Sequence, residues 1–411
     1  MRNFKFGFSL GISKLNTTYR VAFAFLIAHF SHHVVTAITS PLLPLIRGDL
    51  HLSYAQSGMV LSAFTLSYGI AQLPVGWLLR RVKPYLFIFM GIAGVGISGV
   101  LVGVSKGFIL LVVFQLLMGI MGSGYHPTAI FFISQVIEKK KRGKALGIHT
   151  IGGSLSYFIA PVVAAFLASS IGWRATFVTM GFPVIVLGIV ISIMVRNYTN
   201  RTVDKSNDPA LSKGEGKSGG IEWFRLVIVI ILSVSLGAIM GSVIGFVPLY
   251  GVDVMGVDER IAATFVSAIF ISGLWASPLA GFLSDRLSEI PLLIFAALIG
   301  GPLIFFLTFL RFNLVVYIFM IFIGVTIFVR MPVSESFIIG ELHEGIRGTV
   351  LGIYFFASSL GGGLITPLMG SLIDRIGFIR TFRLTGTFLF VAVIVCVVLL
   401  WLDKMVRSRS V

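Results

Sequence analysis

This chain of 411 residues has one cysteine, Cys396, inside its last apolar stretch, so no disulfide can close within it. Charge is scarce as well: 12% of residues are charged, against about a quarter in ordinary soluble domains. Acids are the scarcer sign, 16 against 32 Lys and Arg. The sequence offers no paired catalytic carboxylates, no nucleophile motif, no metal-ligand cluster and no sizeable extramembrane domain. These absences speak against a membrane-embedded enzyme or receptor, and no metal or other cofactor is expected. The Gly361-Gly362-Gly363 run follows no strand, which excludes a nucleotide loop and leaves bending or close helix contact as its use. The first residues, interrupted by Lys5 and Lys14, do not read as a signal peptide.

Apolar residues are abundant, at 56% of the chain. A bilayer core about 30 Å thick asks for roughly 20 apolar residues per helix. Twelve stretches meet that length: 20–46, 54–79, 85–105, 107–137, 145–170, 174–195, 224–250, 260–284, 290–310, 313–338, 348–373 and 379–402. The expected fold is an all-α membrane protein with twelve transmembrane helices.

The second half repeats the first. A step of 205 residues carries Gly76 to Gly281, Ser67 to Ser272, Arg81 to Arg286, Gly119 to Gly324 and Pro127 to Pro332. It also carries Arg142-Gly143 to Arg347-Gly348, Gly172 to Gly377 and Gly181 to Gly386. A gapless register of this kind marks a duplicated unit, and paired membrane repeats commonly enclose a midplane site. The division that follows is a six-helix bundle over 1–196, a cytoplasmic linker over 197–222 rich in Lys, Gly, Ser and Asp, and a pseudo-symmetric six-helix bundle over 223–411.

The net charge of +16 would suggest nucleic acid in a soluble protein, but its placement decides otherwise. Arg2, Lys5, Arg20, Arg81, Lys83, Lys139 to Arg142, Lys144, Arg196, Arg225, Arg347 and Lys404 gather on one side of the expected spans. That bias puts both termini in the cytoplasm of a cell (inner) membrane protein, with the lipid bilayer and no nucleic acid as partner.

Gly76-Trp-Leu-Leu-Arg80-Arg81 and Gly281-Phe-Leu-Ser-Asp285-Arg286 resemble the G-x-x-x-D-R signature loop of the major facilitator superfamily. The Gly172-Trp173-Arg174 corner and the basic loop Lys139 to Arg142 are similar to that family too. The resemblance covers nearly the whole chain. A narrower likeness, at Gly124-Tyr125-His126-Pro127, Arg142 to His149 and Pro41-Leu-Leu-Pro44, is to the fosmidomycin-resistance-like branch. The resemblance implies a monomeric secondary transporter whose helices one, four, seven and ten line a central cavity. It also implies a cytoplasmic gate, with Asp285 favoured by a neighbouring helix dipole and Arg81, Arg286, Arg142 and Arg347 around it. The first half departs from the signature, since Arg80 takes the acid's place. Gly370-Ser-Leu-Ile-Asp374-Arg375 resembles the loop a third time, but the step of 205 returns Asp374 to Ser169, so Asp374 reads as a solvated loop charge.

Polar residues inside the spans single out a site. A charged Arg at a helix centre costs about 2.5–3.5 kcal/mol on insertion scales, so Arg330 is expected to face a cavity or a partner. Glu335 is a candidate partner at poor helical spacing, and is expected lower, near the gate, against a loop cation. His126, one residue past the repeat mate of Arg330, either takes part in the site or bonds a carbonyl freed by Pro127. His29, His32 and His33 share one face of helix one, which should point inward. They suit proton coupling or an anion held with Arg330; zinc on that triplet is the weaker rival, because no acid or cysteine accompanies it. His149 is expected to pack.

The expected substrate-binding set is Arg330, His126, Tyr125, His32 and His33, with His29, His33 and Glu335 for proton coupling. The expected function is secondary active transport of a small organic anion, carboxylate or sulfonate, by alternating access with protons. The rival is a proton-antiport drug or antibiotic exporter. The direction of transport stays open.

Overall fold

The computed structural model describes residues 17–79, 81–202, 222–284 and 286–409. Asp285 and most of the expected linker lie outside the described residues. All regular structure among the described residues is helical, in twelve passes. We number them α1 (Thr17–Val34), α2 (Tyr54–Gln72), α3 (Pro84–Gly103), α4 (Phe108–Val136), α5 (139–171), α6 (173–202), α7 (Trp223–Asp253), α8 (Glu259–Ser284), α9 (Glu289–Leu307), α10 (Leu314–Glu341), α11 (344–376) and α12 (378–409). The chain is therefore a multi-pass membrane protein. Large apolar side chains such as Phe166, Phe182, Phe295 and Phe388 are exposed on its outer face, as lipid contact requires.

Breaks in the helices follow the glycines and prolines. The first expected span stops at Val34, turns through Thr36–Ile38 around Pro41, and resumes at Leu43–Leu50. α4 is interrupted at Ser123-Gly124, where Pro127 withholds a backbone donor from Ser123. α10 carries the equivalent Pro332 and runs unbroken. α5 and α6 join without a loop at Gly172 (φ 78°), and α11 and α12 join at Gly377 (φ 79°). A side chain at either corner would be strained, because φ is positive. α6 continues to Thr202, so the expected boundary at 196 falls inside a helix.

Contacts repeat at the same step of 205. A Cβ on Gly96 would lie 2.9 Å from the Gly181 carbonyl oxygen, and one on Gly301 would lie 2.6 Å from that of Gly386. Glycine at these points lets the paired helices touch backbone to backbone. Gly119 packs on Phe64 and Ser67; Gly324 packs on Ile269 and Ser272. Thr176 donates to the Gly172 carbonyl at 2.9 Å, and Thr381 to that of Gly377 at 2.8 Å. The buried apolar core also divides, one cluster drawn from residues 21–195 and the other from residues 226–396 together with Leu43.

The halves meet closely along α2 and α11, where Gly58 approaches Thr366 and Pro367, and Gly363 meets Leu66. At the end away from the termini, polar bonds also join them. Ser40 donates to the Gly245 carbonyl at 3.1 Å, and Tyr54 Oη to Asp253 at 2.7 Å. Arg47 approaches Asp253 at 3.5 Å. Asp374 accepts the backbone N–H groups of Tyr54 and Ala55 at 2.9 and 2.8 Å. Asp374 is thus no loop charge. It sits in the last turn of α11, before the Gly377 corner, and satisfies two free donors at the start of α2.

Candidate functional site

Between the halves lies a cavity of about 280 Å³. Its polar lining includes Thr36, Ser40, Gln115, Tyr157, Ser358 and Thr366. Gln115 donates to Thr39 at 3.0 Å, and the buried Ser358 hydroxyl has no partner. The lining comes from α2, α4, α5, α7, α8 and α11 and from the turn after α1. α10 contributes nothing to it, against the expectation from the family pattern. Arg330, His126, Tyr125, His32 and His33 do not line this space; Arg330 stands behind its wall at Gly237, and His33 behind Thr36 and Tyr157.

Arg330 reaches from α10 onto α7. Its Nη1 donates to the Ser233 hydroxyl at 3.2 Å, the Ser233 carbonyl at 3.3 Å and Tyr354 Oη at 2.9 Å. Ser334 joins the set through Ser233 at 2.7 Å. The guanidinium rests on Gly237, a cavity residue: a Cβ there would lie 2.7 Å from Arg330 Cζ. No carboxylate pairs with Arg330 among the described residues, and its buried Nε has no acceptor. This is a half-buried cation tethered by neutral groups alone.

Glu335 is half-buried too, and its Oε1 has no hydrogen-bond partner. Among the described residues it forms no ion pair, neither with a loop cation as expected nor with Arg330. Five residues on one helix turn the two side chains apart.

The histidines of α1 point inward, His29 and His32 buried and His33 half-buried. His126 comes in from α4, its ring centroid 4.9 Å from that of His29 and 5.3 Å from that of His33. Among the described residues its ring bonds no backbone carbonyl. Tyr125 stacks on His32 at 4.4 Å, and its buried hydroxyl has no partner. His149 does more than pack: its ring stacks on His29 at 4.2 Å. Three backbone carbonyls hold these rings, because a carbonyl only accepts. His29 Nδ1–H donates to His149 O at 2.8 Å, His149 Nδ1–H to Phe25 O at 3.0 Å, and His32 Nδ1–H to Gly91 O at 2.6 Å. Gly91 can serve because α3 widens to a π-turn over Met90–Gly94, which loosens the regular ladder. The ring nitrogens of His29, His33 and His126 that could bind a metal lie within 4.8 Å of one another. The sequence alone suggested the α1 triplet; the structure exchanges His32 for His126.

The expected gate arginines each hold their own half. Arg142 Nε donates to Ile137 O at 2.9 Å, and Arg347 Nε to Leu342 O at 2.6 Å. Arg81 lies over the Trp77 ring at 4.1 Å, and Arg286 over that of Phe282 at 4.3 Å. None of these four contacts crosses between the halves. Each instead repeats its partner at the 205 step.

Sequence reasoning missed Tyr157, Gln115, Ser233, Tyr354 and the role of His149. Their common signal was available: a hydroxyl, amide or imidazole inside an apolar span needs a partner.

The family model described as "Major Facilitator Superfamily" matches residues 25–366. Among similar proteins, the "Probable sulfoacetate transporter SauU" of Cupriavidus necator is 23% identical over 67% of this chain and 66% of its own length. The "Probable L-galactonate transporter" of Escherichia coli is 33% identical over 36% of this chain and 32% of its own length. "Multidrug resistance protein MdtG" of Escherichia coli is 24% identical over 82% of this chain and 83% of its own length. Thus the match spans about two thirds of the sulfoacetate relative and one third of the galactonate relative. Among solved structures, a bacterial homolog of the human lysosomal transporter Spinster has a TM-score of 0.73 at 17% identity, over 94% of this chain and 96% of that one. A D-xylose-proton symporter has a TM-score of 0.69 at 16% identity, over 92% and 96%. With the family model covering most of the chain and the twelve-pass helical fold in place, the chain is a transporter, not an enzyme, and belongs to the major facilitator superfamily.

Proposed function

We propose that the chain moves a small organic anion, a carboxylate or sulfonate, across the cytoplasmic membrane by alternating access, with Arg330 as the anion's charge partner. The observation that carries this reading is the guanidinium without a carboxylate and with a buried, unpartnered Nε–H. An anion entering past Gly237 would gain a charge-assisted hydrogen bond there. The substrate names of two relatives, sulfoacetate and L-galactonate, are both organic acids, which supports the same substrate class. Glu335 supplies the proton site in this reading, since a carboxyl oxygen without a donor can accept a proton. The chain works as a monomer of two six-helix bundles, near 1–196 and 223–411, with both termini in the cytoplasm. Its bonded end then faces outward.

Drug export is the second reading, favoured by the similarity to MdtG over 82% of the chain and by a cavity lined with neutral groups. Counterflow in proteoliposomes with an imposed pH gradient separates the two. Organic acids should exchange in the wild type and fail in Arg330→Gln, with the variant still inserted. Exchange of cationic or neutral drugs that survives Arg330→Gln would replace the anion reading with the exporter reading.

A further inference from the structure

We propose that His29, His33 and His126 form a binding site for a divalent transition-metal ion, with zinc the best match. It shares no residue with Arg330 and stands whether or not the anion reading holds.

Residues 29 and 33 are four apart on α1, the spacing that sets two imidazoles side by side on one helix face. His126 approaches them from the broken segment of α4. Tetrahedral zinc at 2.0–2.1 Å from nitrogen requires ligand atoms about 3.3 Å apart. The three nitrogens, within 4.8 Å of one another, reach that spacing by small rotations of their side chains.

The proton positions favour the same use. His29 spends its Nδ1–H on the His149 carbonyl at 2.8 Å, so its Nε2 carries a lone pair. Thr36 donates its hydroxyl hydrogen to the His33 carbonyl at 3.2 Å, so its oxygen is left to accept from His33 Nδ1, 3.3 Å away. His33 therefore also keeps a free Nε2. Backbone and hydroxyl partners of this kind orient metal-binding histidines generally. No described donor reaches these lone pairs. His32 Nε2, in the ring beside His33, is fully buried and equally without a donor.

The ligand type narrows the metal. Imidazole alone, with no carboxylate and no thiolate, suits zinc, nickel or copper(II) and not magnesium or calcium. Three neutral ligands leave the ion's charge uncancelled and one position open, which fits an anion or hydroxide. Thr36 and Tyr157, which touch His33, both line the cavity, so such an anion could arrive from there. His29 and His33 are then metal ligands and not proton carriers, which leaves that duty to Glu335.

The test uses the full-length protein, purified in detergent and stripped with a chelator. Zinc titrated against a chromophoric competitor should bind at one ion per chain. His29→Gln, His33→Gln and His126→Gln should each weaken it by more than about 100-fold, beyond the 10–100-fold of an outer-shell loss. His343→Gln, on an exposed residue of the α10–α11 connection, should bind as the wild type does. Cobalt(II) in the wild type should give the intense visible bands of tetrahedral coordination, a readout that needs no variant to fold. Binding that is absent, unchanged in His126→Gln, or octahedral by the cobalt spectrum would overturn the site.

Discussion

The two halves of this transporter share one scaffold and place different chemistry at one set of matching positions. The 205-residue step pairs Tyr125 with Arg330, His149 with Tyr354 and His32 with Gly237. In the first half, Tyr125 lies flat on the His32 ring and His149 flat on that of His29. In the second half, Arg330 occupies the room that Gly237 leaves and bonds to Tyr354. The same niche is filled by stacked imidazoles on one side and a guanidinium on the other. Duplication supplied the scaffold, whose glycine contacts recur in both halves; chemistry was then assigned to each half separately.

Four changes break or sharpen that comparison. Arg330→Gln should have the largest effect. A hydrogen bond to a charged group is worth about 1.5–3 kcal/mol, so organic-acid uptake should fall roughly 10- to 150-fold, with surface expression kept. The first-half mate, Tyr125→Phe, removes a hydroxyl with no partner and should leave uptake within about twofold, since no bond is lost. Next is Gly237→Ala, which pushes a methyl to 2.7 Å from the guanidinium carbon. It should lower uptake about tenfold by displacing Arg330, with overpacking in the range of 1–3 kcal/mol. His32→Ala, at the matching place, instead opens a void and should show up in thermal stability of the purified protein.

The symmetric prediction concerns Gly96→Ala and Gly301→Ala. Each sets a methyl against an opposing carbonyl, so both should lower the melting temperature, by amounts within a factor of two of each other. Unequal losses would mean the two helix pairs are not equivalent in energy. Asp374→Ala leaves two N–H groups at the start of α2 without their acceptor. Loss of such a cap costs about 0.5–2 kcal/mol, read as easier thiol labelling of a cysteine placed at Ser40.

The scaffold was readable in the sequence because its determinants are local. Gly172 and Gly377 mark corners that need positive φ, and Gly96, Gly119 and their mates mark backbone contacts, so the step of 205 exposed the architecture. The site was half readable. Arg330 and the α1 histidines announce themselves as polar groups in apolar spans. What the sequence could not give is where neighbouring helices put the partners. Val329 in place of Gly124 keeps α10 straight through its proline while α4 breaks, and α10 stays out of the cavity lining. His149 looked like packing because its partner, His29, is 120 residues away. Asp374 was misread for the same reason: its partners belong to α2, 320 and 319 positions back. Five residues of helix likewise sufficed to say that Glu335 does not pair with Arg330, but not that its Oε1 would be buried without a partner among the described residues.

The carboxylate of Asp374 holds two backbone protons of a helix in the opposite half. Those protons are shielded from heavy water while that grip lasts and open to it when the halves separate there. Deuterium uptake at Tyr54 and Ala55 therefore reports the share of time the halves stand apart at that end, and slows when a tightly held cargo keeps them together.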